Sequence, residues 1–262
     1  MGPRVSEAPR LLGPDDPAAF TLIGPGAPSP FLLIADHAGQ AVPAALGRLG
    51  LSQAELDRHI GWDIGIAGTT VKLAALLNAT AVLQTYSRLV IDCNRPLTAP
   101  GSIAAISDGT PVPANQAVSD SQRAQRVAEI FAPYHQAIAA QLDARAARGQ
   151  PTLLIALHSF TPVFAGSVRP WHAGVLYQHD NRLAMALKPL LEAEGLTVGD
   201  NEPYSVSEAT DYAIPVHGQG RGLPHLELEI RQDLIADDVG QSAWAQRLAT
   251  LFMQLAPHFT QH

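Results

Sequence analysis

Short apolar runs alternate along this chain with segments of helical periodicity, and several of the runs lead into ionisable residues. FLLIAD (31–36) leads into His37, TLLIALHS (152–159) carries His158, and HLELEIR (225–231) carries Glu227 and Glu229. A fourth run, YSRLVIDCNRP (86–96), holds Arg88, Asp92, Asn94 and Arg95, with a strand expected over 88–93. Continuous apolar runs of this length are characteristic of strands buried on both faces. Such strands need helices on either side. The pattern therefore predicts an α/β fold: a mixed, largely parallel central sheet flanked by helices on both faces. Open sheets of this kind bind ligands beyond the carboxyl ends of their strands, where these ionisable groups fall.

Helical signals fill the intervals. Ser52 and Glu55 form a capping box, and 63–77 is apolar nearly all round, as a buried helix requires. Val127, Phe131, Tyr134, Ile138 and Leu142 recur at helical spacing, interrupted by Pro133. A helix over 182–195 should kink at Pro189 and stop at Gly195, and Trp244, Leu248, Leu251, Phe252 and Leu255 mark a last one. Residues 1–30 are expected to form an irregular lead-in to one domain over 31–262, and 96–118 a long functional loop.

Composition narrows the function. With 16% charged residues and a formal net charge of -7, the chain lacks the basic clusters that nucleic-acid binding needs. No segment is long and apolar enough for a membrane span, and MGPRVSEAPRLLGPDD does not resemble a signal peptide. MGPRVS fits the myristoylation pattern, a short and often fortuitous match. The single cysteine, Cys93, excludes an intrachain disulfide. A soluble cytoplasmic protein acting on a small molecule is expected.

A lone histidine at a strand end is ordinarily a hydrogen-bonded structural residue. Two such residues, His37 and His158, with a carboxylate on a third segment, match the three protein ligands of a catalytic zinc or another divalent metal. Asp36, Asp63 and Glu229 are the candidates for the carboxylate. Glu227, Glu229 and Arg231 share one face of their strand. If that face borders the metal, Glu229 is a natural general base, oriented by Arg231. If it does not, the face is solvated, as is expected for Glu227. Arg88, Asn94 and Arg95 suit a substrate carboxylate or an oxyanion, although Arg88 and Asp92 could simply pair. His172 and His217 lie near loops that could line the site. GQGRG (218–222) follows no strand, so a dinucleotide site is not expected.

Taken together, ADHAGQAVP, HIGWDIG, YSRLVIDCNRP, HSFTP, RPWHAGVL, VGDNEPYS and LELEIRQDL resemble the N-formylglutamate amidohydrolase family, which is similar in turn to zinc carboxypeptidases and aspartoacylase-type deacylases. The resemblance implies a phosphorylase/hydrolase-like fold with a mixed eight-stranded sheet. It also implies hydrolysis of N-formyl-L-glutamate to formate and glutamate, a step of histidine breakdown. By position, His37 and His158 correspond to the metal-binding histidines, Arg88 to the arginine that polarises the scissile carbonyl, and Glu229 to the general base. Asn94 and Arg95 correspond to the pair that holds the substrate carboxylate. Apart from the resemblance, Arg231 on the Glu229 face and His217 near a loop are further candidates for substrate binding. Gln40 stands where the carboxypeptidase relatives carry a ligating glutamate, which moves the third ligand to Asp63. Two alternatives remain: a non-catalytic carboxylate-binding relative, and a carboxypeptidase-like peptidase.

Overall fold

The computed structural model describes residues 10–260. The MGPRVS pattern and His262 lie outside them. Eleven strands occur among the described residues, and seven form one sheet. In chain order these are β1 (Phe20–Ile23), β2 (Phe31–Ala35), β3 (Thr80–Gln84), β6 (Leu153–Phe160), β9 (Ala173–Leu176), β10 (Val198–Asp200) and β11 (His225–Arg231). β4 (Ile106–Ser107) with β5 (Thr110–Pro111), and β7 (Val163–Phe164) with β8 (Ser167–Val168), make two small hairpins outside it.

The sheet order is β1-β3-β2-β6-β11-β9-β10. The central strands β3, β2, β6 and β11 run parallel, while β1, β9 and β10 run against them. This is the expected mixed, largely parallel sheet, with seven strands where the resemblance implies eight.

Alternation along each strand builds two cores. Leu33, Ala35, Leu153, Ile155, Leu157, Leu226, Leu228 and Ile230 face one side. There they meet α2 (Ile66–Leu77), α5 (Arg182–Ala193) and α6 (Asp238–Leu255). Leu32, Ile34, Leu154 and Ala156 face the other side, under α4 (Ala132–Ala147) and the loops after β3. The remaining α-helices are α1 (Gln53–Leu56), closed by the Ser52–Glu55 capping box, α3 (Asp120–Arg126) and the short α7 (Pro257–Thr260). A π-turn at Val127–Phe131 joins α3 to α4, so the helical spacing slips just before Pro133. Pro189 lies inside the continuous α5.

Two elements differ from the sequence reading. The irregular segment expected over 1–30 contains β1, a four-residue edge strand whose Pro- and Gly-rich flanks obscure it and which pairs with β3. Residues 88–93 form no strand. Val90 donates to the Ser87 carbonyl, Asp92 to that of Ser102 and Arg95 to that of Asp92, so the run is a series of turns. Its apolar residues, Leu89 to Ile91 and Cys93, are buried in the second core. Burial alone makes such a run apolar, whatever its backbone conformation.

Candidate active site

The parity that builds the second core also builds the site. Glu227 and Glu229 take the face opposite Leu226, Leu228 and Ile230, and Glu229 is in register with His158 on the neighbouring strand. Asp36 follows Ile34 by two residues, just past the end of β2, and His158 follows Ala156 by two within β6, so both continue that face. Glu227 is therefore buried, not solvated as the amphipathic reading expected.

The chain turns sharply after His37. A Cβ at Gly39 would lie 1.9 Å from the Thr85 carbonyl oxygen, so only glycine fits there. Asp63 arrives from the turn before α2, its N–H bonded to the His37 carbonyl at 2.9 Å. Gly65, at φ 82°, caps that helix.

His37, Asp63 and His158 each offer a ligand atom within 4.8 Å of the others, and all three side chains are buried. The two rings meet edge to face, their centroids 4.9 Å apart. Each ring presents Nδ1 to Asp63 Oδ2, at 3.6 Å from His37 and 3.1 Å from His158. Each turns Nε2 to another carboxylate, His37 to Asp92 at 2.7 Å and His158 to Asp36 at 3.4 Å. Carboxylates behind ligating imidazoles orient the rings and raise their basicity. His37 Nδ1 is buried without a hydrogen-bond partner. Two nitrogens and a carboxylate oxygen facing one point, with outer carboxylates behind both rings, fit a divalent cation. Gln40 is exposed, and the carboxylate grouped with the two imidazoles is that of Asp63.

Charge is dense in this pocket. Burial works against ionisation of Asp63, but the charges and hydrogen bonds of His37 and His158 prevail and hold its carboxyl far below the usual range. Asp92 is lowered likewise, by His37 and Arg88. His158 is raised well above its ordinary value, against burial, by Glu227, Asp36 and Asp63. Burial drives Glu229 up to about 7 and Glu227 up to about 8. Glu229 Oε2 is buried with no partner. A carboxyl group without partners and poised near neutrality suits a proton-transfer role.

Arg88 bridges Asp63 (3.4 Å) and Asp92 (3.1 Å), and a quarter of its side chain remains exposed. Arg95 bonds the Thr210 carbonyl and lies 3.8 Å from Asp92. Both line a cavity of about 310 Å³ together with His37, Asp63, His158, Glu227 and Glu229. Asn94 reaches the cavity wall, but its amide is occupied. Its oxygen accepts from the Tyr212 and Ala213 backbone, and its nitrogen faces Asp211 and Glu227.

Two expected substrate contacts lie elsewhere. The Arg231 guanidinium is forked onto Asp233 (2.8 and 3.2 Å) and donates to the Trp171 carbonyl, because the chain turns out of the sheet at that residue. His217 bonds His135 at 3.0 Å behind the cavity wall. Burial lowers both of those rings to about 4, so neither offers a substrate carboxylate a charge at neutral pH. His172 accepts from the Thr197 N–H. Sequence reasoning passed over Asp92 and Asp36 as outer partners of the imidazoles. It also passed over Arg169 and Tyr204, which come from the quoted RPWHAGVL and VGDNEPYS segments.

A buried carboxyl, a partly exposed guanidinium and paired imidazoles around one opening define an enzyme of the hydrolase class. The family model described as N-formylglutamate amidohydrolase matches residues 29–236, and the chain belongs to that family of amide hydrolases. Gene product Atu2144 from Agrobacterium tumefaciens is similar over 96% of this chain and 100% of its own, with TM-score 0.93 and 32% identity. The N-formylglutamate amidohydrolase from Ralstonia eutropha JMP134 shares the fold over 92% of this chain and 98% of its own, with TM-score 0.66 and 19% identity. No curated protein matches the chain. Among the described residues, no helix is long and apolar enough to cross a membrane.

Proposed function

We propose that the protein is a metal-dependent deacylase of N-acyl amino acids, with N-formyl-L-glutamate as its leading substrate. The observation that carries this reading is the convergence of His37, Asp63 and His158 beside the unpartnered carboxyl of Glu229. A divalent cation held by those three residues would supply Lewis-acid activation of water and of the scissile carbonyl.

The chain's own groups do the rest. Glu229 takes the proton of the attacking water and passes it to the departing amide nitrogen. The water oxygen–carbon bond forms, the carbon–nitrogen bond breaks, and formate and the free amino acid leave. The exposed edge of Arg88 faces the charge that develops on the carbonyl oxygen, while Asp63 and Asp92 hold that guanidinium in place. Arg95 anchors a substrate carboxylate. Asn94 holds the 211–213 segment beside it rather than touching substrate.

The test is formate release from N-formyl-L-glutamate by zinc-supplemented protein, with metal analysis of the wild type beside His37→Ala. Formate release and one metal per chain, lost in the variant, support the reading. Cleavage of peptides with no action on N-acyl amino acids would replace it with a carboxypeptidase. Ligand binding without metal or turnover would leave a carboxylate-binding relative.

A further inference from the structure

Three arginines among the described residues are at least nine-tenths buried, and they are held in two different ways. Arg126 donates at 2.8 Å to both the Val90 carbonyl and the Asn115 side chain. Arg145 donates to Thr152, Ser29 and Pro151. Both serve as internal braces. Arg169 donates to the Thr161 carbonyl at 3.5 Å and bonds the Tyr204 side chain, and it has no carboxylate within ion-pair distance among the described residues. A guanidinium has five donors and keeps its charge at any physiological pH, so burying it without an anion is costly.

Aromatic rings surround it instead. Its central carbon lies 4.7 Å from the ring centroids of both Phe164 and Tyr204, and 5.9 Å from that of Phe160. Cation–π contacts of this kind stabilise the charge through its faces. Thr161 and Tyr204 take up part of the in-plane edge, and the remaining N–H donors have no anionic partner. Thr161, Phe160, Phe164 and Tyr204 all line the catalytic cavity. The positive field of Arg169 also reaches Glu229 and His59 on the cavity wall. Arg95 belongs to the loop after β3, whereas Arg169 follows the β7–β8 hairpin, so the two guanidiniums reach the site from different segments.

We infer that Arg169 is the receptor for a second substrate carboxylate, so that the pocket selects dianionic N-acyl amino acids, with one carboxylate on Arg95 and the side-chain carboxylate on Arg169. The identity of the substrate rests on the hydrolase reading, but the receptor itself does not.

Two measurements test this. Calorimetry compares glutarate, with two carboxylates, and butyrate, with one, on wild type and Arg169→Gln. Kinetics compare N-formyl-L-glutamate with its neutral isostere N-formyl-L-glutamine. Charge-assisted paired hydrogen bonds are worth about 10- to 100-fold. Arg169→Gln should weaken glutarate by that factor and leave butyrate within about twofold. It should raise KM for N-formyl-L-glutamate alike, with kcat and the N-formyl-L-glutamine reaction nearly unchanged. Where Arg169→Gln fails to fold, Arg169→Lys keeps the charge among the rings but loses the fork, and glutarate should still weaken several-fold. Failure of wild type to bind glutarate, or equal effects on one- and two-carboxylate ligands, overturns the inference. Arg169-dependent glutarate binding without formate release would uphold the receptor and refute the hydrolase reading.

Discussion

Replacing Glu229 by Gln separates catalysis from stability, because the buried carboxyl that serves one weakens the other. Its ordinary value is 4.5, and burial raises it to about 7 in the folded protein. The sign follows from proton counts. Below pH 4.5 folded and unfolded chains both hold the proton. Between 4.5 and about 7 only the folded protein keeps it, so stability falls as pH rises; above 7 the loss is complete. At about 1.4 kcal/mol per pH unit, this window amounts to about 3 kcal/mol in the metal-free protein. A glutamine carries no charge to bury. Urea unfolding in chelator should therefore show Glu229→Gln gaining on wild type by up to about 3 kcal/mol between pH 5 and pH 8. In the zinc-loaded enzyme the same variant loses its base, which should cut kcat for formate release by about 10²- to 10⁴-fold. A bound dication favours the ionised base, so the acid limb of the wild-type rate profile should fall at or below pH 7. A variant with kcat within threefold of wild type would remove Glu229 from the chemistry. A stability difference that ignores pH would show that the carboxyl is not held protonated.

Further expectations concern the imidazoles and the arginine outside the pocket. Asp92→Asn keeps the shape behind His37 Nε2 but removes its charge, and zinc affinity by competition with a chromophoric chelator should drop about 10- to 100-fold; an unchanged affinity would leave Asp92 a mere partner of Arg88. His37 and His158 are both raised above their ordinary values in the metal-free pocket, so cation binding must displace protons. Calorimetry in buffers of different ionisation enthalpy should then register proton release, with affinity rising with pH. Arg231→Ala should leave KM for N-formyl-L-glutamate within about twofold, since its fork is occupied by Asp233. A tenfold rise would return Arg231 to the substrate.

The sheet was legible because four to eight apolar residues bounded by turn signals leave a strand few alternatives. His158 and Glu229 stood out because polar groups are costly inside such strands unless they serve a purpose, and His37 because it follows one; Asp63 was singled out only as the carboxylate to stand in for Gln40. Residues 88–93 misled for the same reason in reverse: a buried turn is as apolar as a buried strand. Arg231 was assigned by parity, which holds only while the strand lasts, and the chain turns at that residue. His217 was assigned by nearness to a loop, a criterion blind to which side of the cavity wall a ring lies on. The outer carboxylates Asp36 and Asp92 needed three dimensions, because 122 and 55 positions of sequence separate them from the rings they orient.

Those outer carboxylates explain why the pocket fits a cation at all. Asp36, Asp63, Asp92, Glu227 and Glu229 are each at least 95% buried around two imidazoles, with Arg88 and Arg95 lining the cavity and Arg169 behind its wall of Phe160, Phe164 and Tyr204. So much negative charge cannot stay ionised in a medium of low dielectric without compensation. In the metal-free protein protons compensate: burial raises both glutamates toward neutrality, and the neighbouring carboxylates raise both imidazoles above their ordinary values. A divalent cation between His37, Asp63 and His158 would take over that compensation. It would release the imidazole protons to solvent and free Glu229 to ionise. The same buried charge that is costly without a cation thus favours its binding and arms the base when it binds, so metal loading and catalytic competence should rise together with pH.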